Sequence, residues 1–489
     1  MSNGLILAID QGTTNTKALA VGADGRVVAE AATAMQVVYP RPGWAEQSAS
    51  DIWSSVQQVI AGVVARTGPA FEAIAISNQR ETIVAWDAAT GDPLAPAITW
   101  QCRRSAGRCE AIRRAGHAGL IAQKTGLGLD PLFPAAKIGW LVENVAGVRE
   151  AARNGRLRVG TVDSWLLWKL TGGAAHATDA SNASRTQLLD IGRLDWDAEL
   201  LGIFEVPSMA LPEVRPSDSL FGEVGENLTA AAAGTPIQAM LGDSHAALFG
   251  HGVRSPGTVK ATYGTGTSLM TLTHGRLQSH RGLSSTIAWS TAAGGTAYAL
   301  EGNISVSGQA VAFMADLLGL ADSAALADLA ATVPDSNGIS FVPALVGLGA
   351  PHWAPEARGL IGGLTLGTRP AHLARATIEA IAQQVADVFE AMQDDLGVPL
   401  AQLSADGGAS RNDLLLQFQA DIIGRPVVRG ERPEASALGA AMMAAQPLGW
   451  PIASPARATT FAPTMGAADR AAFRARWREA IGRTLWSAH

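Results

Sequence analysis

Residues 5–9 are apolar without a break; the chain then turns polar at Asp10-Gln11-Gly12-Thr13-Thr14-Asn15, and small residues return in alternation at Ala18, Ala20 and Gly22. This pattern predicts a buried strand, a tight turn and a second strand. At 51–65 the period changes. Ile52, Trp53, Val56, Val59, Ile60 and Val63 recur at helical spacing, with Ser50 or Asp51 as the N-cap. Short apolar runs at 71–76 and 82–86 predict strands with a turn at 88–92, and 136–145 and 164–170 read as buried helices. A further strand at 237–241 ends on Gly242-Asp243. Strands and helices thus alternate, as in an α/β fold.

The second half starts this pattern again. Residues 258–263 predict a strand, Gly264-Thr265-Gly266-Thr267-Ser268 its turn, and 269–272 and 296–300 further strands. The stretch 263–268 echoes 10–15 in kind, as an internal duplication would. Long helices are expected at 380–396, 412–423 and 470–486. Gly, His, Arg, Ser and Pro cluster at 250–257, which sets the expected domains at 1–250 and 251–489.

Composition narrows the class. A chain of 489 residues has room for two domains with full cores, and 47% apolar with 16% charged residues describes a compact protein. A net charge of −6 argues against nucleic acid or a membrane surface as partner. No apolar run reaches the roughly 18 residues of a membrane span, and no export signal is expected at the N-terminus. Cys102 and Cys109, in an arginine-rich, helix-like segment, are too few for a disulfide framework and fit free thiols in the cytoplasm. His245 and His251 have no cysteine or carboxylate at ligand spacing, so no structural zinc is expected.

The first turn carries the clearest chemistry. Gly12 lets backbone approach a ligand closely. Thr13, Thr14 and Asn15 can donate to phosphate oxygens, and Lys17 is a point charge for phosphate. Asp10, at a strand end, can hold hydrated Mg2+. An ordinary glycine-turn hairpin would read the same way on its own. The loop resembles the first phosphate loop of the superfamily of sugar kinases, actin and heat-shock chaperones. It is not a Walker loop, because G-x-x-x-x-G-K-[ST] occurs nowhere in the chain.

Further blocks point the same way: Ser77-Asn78-Gln79-Arg80-Glu81-Thr82, Trp100-Gln101-Cys102-Arg103-Arg104, Gly160-Thr161-Val162-Asp163 and Asn182-Ala183-Ser184-Arg185-Thr186. Gly347-Leu348-Gly349-Ala350-Pro351, Asp406-Gly407-Gly408-Ala409 and Ala437-Leu438-Gly439-Ala440 follow. In order and spacing they resemble the FGGY carbohydrate kinase family, its glycerol kinases above all, over essentially the whole chain. The resemblance implies two actin-like (ribonuclease-H-like) domains with ATP clamped in the cleft between them. It also implies MgATP-dependent phosphorylation of a terminal hydroxyl on a small polyol or sugar, by a cytoplasmic enzyme expected to be a homo-oligomer, dimer or tetramer.

Residue by residue, the resemblance makes Asp10 the Mg2+-organising aspartate and Asp243 the catalytic base. Gly12, Thr13, Thr14, Asn15 and Lys17 fall on one phosphate loop, and Thr265 and Gly266 on the other. Gly308 matches a nucleotide contact, and Gly408, Ala409 and Asn412 the adenosine cradle. Arg80, Glu81 and Trp100 match the polyol pocket, although Arg80-Glu81 alone would suit a solvated ion pair and Trp100 alone a core position. Three pocket positions depart from the glycerol kinase pattern: Leu132 stands for tyrosine, Ser244 for glutamine and Ser268 for phenylalanine. Lys17 stands where glycerol kinases usually carry arginine. Smaller side chains imply a roomier pocket and a C4 or C5 polyol or ketose as substrate. Glycerol itself is the alternative; an actin-like ATP-driven binding protein would lack the Arg-Glu, Trp and Asp polyol site.

Overall fold

The apolar run near the N-terminus forms strand β1 (Leu5–Gln11), buried from Ile6 to Ile9, and after the turn the chain returns as β2 (Asn15–Gly22). A computed structural model describes residues 4–430, 434–452 and 458–486. Strand β3 (Val27–Ala34) extends the sheet antiparallel to β2. β4 (Ala73–Asn78) lies parallel to β1, and β5 (Pro236–Gly242) parallel to β4. The order is β5-β4-β1-β2-β3, with Gly222–Glu223 on the β5 edge.

A second sheet repeats the plan. Its strands are β6 (Thr258–Tyr263), β7 (Thr267–Thr273), β8 (Ser284–Thr291), β9 (Gly295–Ile304), β10 (Gln402–Asp406) and β11 (Val427–Gly430), in the order β8-β9-β7-β6-β10-β11 with Ala458–Phe461 outermost. β6-β7-β9 run antiparallel in turn and β6-β10-β11 parallel, matching β1-β2-β3 and β1-β4-β5. The loops after Asp10 and after Tyr263 therefore occupy equivalent turns of two like sheets.

Helix α1 (Ala49–Thr67) buries Ile52, Val56, Val59, Ile60 and Val63 and packs against β2 and β3. Its N-cap is Ser48, not Ser50 or Asp51: Ser48 is extended, and its hydroxyl accepts from the Asp51 N–H at 3.1 Å. The strand expected at 71–76 lies two residues later, because Ser77 and Asn78 are buried and hydrogen-bonded rather than exposed. β7 starts at Thr267, two residues before the expected strand, so the turn is shorter than the sequence suggests. Cys109 lies in the helix Ala106–Arg114, whereas Cys102 sits in the turn before it; both are free and buried. No helix among the described residues is long and apolar enough to cross a membrane.

Helices also join the two halves. α2 (Asp243–Gly250) follows β5 directly, while α3 (Gly308–Leu317), α4 (Pro370–Leu396) and α5 (Asp413–Ile423) cover the second sheet. α6 (Ala435–Ala445), late in the chain, packs against α2 and against β1, β4 and β5 of the first sheet. Backbones nearly touch there: a Cβ on Gly439 would lie 1.8 Å from the Ala246 carbonyl oxygen, and one on Gly250 2.3 Å from that of Ala435. This contact fixes α2, and with it Asp243 in the first turn of that helix.

Candidate active site

Asp10 stands at the end of β1, paired in register with Lys17. The Ser77 hydroxyl donates to its Oδ1 at 2.8 Å. Burial, and then the negative charge of Asp243, raise its pKa to about 6 against the pull of Ser77 and Lys17. Lys17 also lies 3.8 Å from Glu434. In the turn, the Gly12 N–H donates to the Asn15 carbonyl, and a Cβ on Gly12 would sit 3.0 Å from that oxygen. Thr14 and Asn15 are exposed, while Thr13 is braced: Trp100 Nε1 donates to its hydroxyl at 2.9 Å, and Gln47 to its carbonyl at 2.8 Å. Gln79 joins the brace, accepting from the Thr13 hydroxyl and donating to Gln11 and Gln47.

The second turn is tied to the start of α3. The Ser307 and Gln309 N–H groups donate to the Thr265 carbonyl, and the Gly308 N–H to that of Gly264. Side chains do not fit here: a Cβ on Gly266 would meet the Ile304 carbonyl oxygen at 2.3 Å, and one on Gly308 that of Gly264 at 2.7 Å. Thr265 is exposed. Gly407 has φ 88°, and a Cβ there would lie 2.4 Å from the Tyr263 carbonyl oxygen, so the turn after β10 presses against the end of β6. Gly408 and Ala409 open the short 3-10 helix that follows, with Gly408 exposed. Asn412 caps α5, its Oδ1 accepting from the Leu415 N–H.

Arg80, Glu81 and Asp243 belong to one chain of charges. Arg80 Nε donates to Asp243 Oδ1 at 3.1 Å, and 38% of the Asp243 side chain remains exposed while Arg80 is buried. Burial raises the Asp243 pKa, and Arg80 is the first influence opposing it. Glu81 is buried with φ 60°, a left-handed backbone that is uncommon for a non-glycine residue, and accepts from Arg185 Nε at 2.7 Å. Gly242 leaves room for this arrangement, since a Cβ there would lie 2.7 Å from the Arg80 side chain. Leu132 is half-buried, and Lys137 Nζ donates to its carbonyl and to that of Glu81. Ser244 and Ser268 bond hydroxyl to hydroxyl at 3.0 Å, tying α2 to β7.

Four residues without an expected role complete this cluster. Glu301 on β9 is fully buried, 2.7 Å from Arg80 Nη2 and 2.8 Å from Arg185 Nη2. Lys260 on β6 is buried and donates to Ser244 and Thr262. Lys137 is buried too, and burial lowers its pKa to about 7. Arg185 stood inside a block with a recognisable pattern, and Glu301 follows directly on a predicted strand. A lone charge at the end of an apolar run was the available signal for Glu301. His245 bonds Thr286, and His251 bonds Ser404 and Asp406. Among the described residues no group of three His, Cys, Asp or Glu is arranged to hold a metal ion.

Residues 5–250 match the N-terminal domain, and residues 259–446 the C-terminal domain, of the FGGY family of carbohydrate kinases. The chain belongs to this family. A glycerol kinase of Symbiobacterium thermophilum is 45% identical over 500 residues, covering 100% of both chains. An apulose kinase of Pectobacterium atrosepticum is 48% identical over 452 residues, covering 92% of this chain and 91% of its own. Among solved structures, the Plasmodium falciparum glycerol kinase with ADP superposes with a TM-score of 0.92 at 31% identity, covering 99% of this chain and 98% of its own. The protein is accordingly an FGGY phosphotransferase with an alcohol group as acceptor, and kinases of this family use ATP. Similar identities to glycerol and apulose kinases leave the acceptor to be argued from the pocket.

Proposed function

We propose that this FGGY kinase transfers the γ-phosphoryl group of ATP to a terminal hydroxyl of a C4 or C5 polyol or ketose. The observation that carries the substrate reading is the Ser244–Ser268 contact. Two short side chains meet at 3.0 Å where glycerol kinases carry a long amide and an aromatic ring, and Lys260 and Glu301 satisfy their remaining hydrogen bonds. Both hydroxyls are satisfied, and on this reading the volume that the longer amide and the ring would fill is left to a longer carbon chain. Leu132 works in the same direction, since it offers no hydroxyl to a short acceptor.

Phosphoryl transfer needs an in-line acceptor oxygen, a group to take its proton and cations to spread charge. In this reading Asp243 takes the proton, its second oxygen being free of Arg80. The acceptor oxygen forms the new bond to the γ-phosphorus as the bond to the ADP oxygen breaks. Arg80 and Glu81 hold hydroxyls, and the Trp100 ring faces the carbon chain. The turns at 10–15 and 264–266 hold the phosphates from the two sheets. Asp10 fits Mg2+: it is a largely buried carboxyl whose ionisation is opposed by a second carboxylate, and such a group favours a cation. When bound, the ion would neutralise phosphate charge.

A second reading, glycerol as acceptor, draws on the 45% identity to glycerol kinases and on the retained Arg80, Glu81, Trp100 and Asp243. A coupled assay of ADP release over C3 to C5 polyols and ketoses decides between them. The expected result is a higher kcat/KM for a C4 or C5 acceptor than for glycerol. Preference for glycerol over every longer acceptor would overturn the proposal.

A further inference from the structure

We propose that Glu301 is a positioning residue for the acceptor: from the second sheet it sets the placement of both Arg80 and Glu81 on the first half of the chain. The inference rests on the polyol-kinase reading of those two residues. Five side chains alternate in charge along one chain of contacts. Asp243 meets Arg80 at 3.1 Å, Arg80 meets Glu301 at 2.7 Å, Glu301 meets Arg185 at 2.8 Å, and Arg185 meets Glu81 at 2.7 Å. Glu301 is the central member and the one that comes from the second sheet. It is fully buried, as is Arg185. Burial opposes its ionisation, but Arg185 and Arg80 outweigh it and hold its carboxyl well below the usual carboxylate range.

The geometry divides the labour. Arg80 is shared between Glu301 and Asp243, so the grip of Glu301 limits how far the guanidinium can close on the candidate base. Arg185 is shared between Glu301 and Glu81, whose backbone is already in the left-handed region. Glu301 thus fixes one side of the acceptor pocket directly and the other through Arg185. Ser268, one of the three residues that set pocket size, donates to the same carboxylate at 3.2 Å. Without the Glu301 charge, two self-contained pairs remain, Arg80–Asp243 and Arg185–Glu81. Each is still neutral overall, so the fold has a route to survive while the spacing between the pairs is no longer set.

The test is Glu301→Gln in the full chain, with circular dichroism and thermal unfolding to establish folding. ADP affinity is measured by calorimetry, and KM and kcat with the acceptor the unaltered enzyme uses best. The expected result is a KM for the acceptor at least tenfold higher and a reduced kcat, with ADP affinity and KM for ATP within twofold. A folded variant with acceptor KM and kcat within twofold overturns the proposal. So does an equal loss of acceptor and nucleotide binding, which marks a general structural role. Should Glu301→Gln not fold, Arg185→Lys replaces it. That variant keeps the charge but loses the fork spanning Glu81 and Glu301, and the same split between acceptor and nucleotide is expected; unchanged acceptor KM overturns the proposal. Failure of the kinase reading is seen separately, as an unaltered enzyme that turns over ATP with no dependence on any polyol or ketose.

Discussion

Asp10→Asn should make the metal-free protein more stable while removing its response to Mg2+. The side chain is largely buried beside a second carboxylate, and its pKa stands at about 6 instead of 3.8. Each pKa unit corresponds to about 1.4 kcal/mol, so keeping this carboxylate ionised at pH 8 costs the fold at most about 3 kcal/mol. Asparagine removes the charge and keeps an oxygen for the Ser77 hydroxyl. The sign follows from linkage. The native state binds the proton more tightly than the unfolded chain, so the penalty is absent below about pH 4, grows through about pH 5 and is complete above about pH 6.

Urea midpoints of both proteins in EDTA, at pH 5 and pH 8, measure this directly. The variant should gain about 1–3 kcal/mol at pH 8 and roughly half of that at pH 5. In a thermal scan at pH 8 the gain corresponds to a rise on the order of 2 °C. MgADP should stabilise the unaltered protein more than ADP alone, and increasingly so as the pH rises through 6, because proton and cation compete for one carboxylate. Asp10→Asn should erase that difference. A variant no more stable at pH 8, or one with the same gain at both pH values, would refute the assignment of Asp10 as a strained carboxylate awaiting a cation.

Four other outcomes are expected. Asp243→Asn should lower kcat by about 10²–10⁴-fold with ADP affinity intact; near-normal kcat in a folded variant would remove Asp243 as the base. Leu132→Tyr, Ser244→Gln and Ser268→Phe together should shift kcat/KM toward glycerol, measured against the best C4 or C5 acceptor, and no shift would separate these positions from specificity. Small-angle scattering should show a smaller radius of gyration with acceptor plus a non-hydrolysable ATP analogue, since the two phosphate turns belong to different sheets; an unchanged radius at saturation counts against closure. Gly439→Ala places a Cβ 1.8 Å from the Ala246 carbonyl oxygen, and should lower stability by about 3 kcal/mol, read as a lower unfolding midpoint.

The features legible in the sequence are those whose causes are local. Glycine turns flanked by apolar runs marked β1-β2 and β6-β7, and the apolar stripe from Ile52 to Val63 marked α1. Errors fell where the deciding partner is distant. Ser48, Ser50 and Asp51 can all cap a helix, and the choice depends on where the chain leaves the strand Glu46–Gln47, which pairs with Ala97–Ile98. β4 runs through the polar Ser77 and Asn78 because Asp10 and Asn182 satisfy them from other segments. α4 begins at Pro370, ten residues before the expected start, because its first turns bury alanines together with His372, Thr377 and Glu379.

The same distinction separates the two sides of the candidate site. The candidate phosphate turns are specified by residues adjacent in sequence, because the backbone closes on itself at Gly12 and Gly266 with little or no room for a side chain. The acceptor side is specified by charge balance among segments that meet only after folding. Arg80 beside Glu81 looks like an exposed ion pair in the sequence, yet the two are buried and do not pair with each other: Arg80 turns to Asp243 and Glu301, and Glu81 to Arg185. A buried charge requires a partner, so each of these residues implied another that the local pattern could not name. On the proposed reading, substrate choice depends on positions such as Ser268, which lies on β7 just after the second turn and donates to Glu301. Changing the acceptor then requires keeping the contacts of that charge chain in place, which two serines bonded to each other allow.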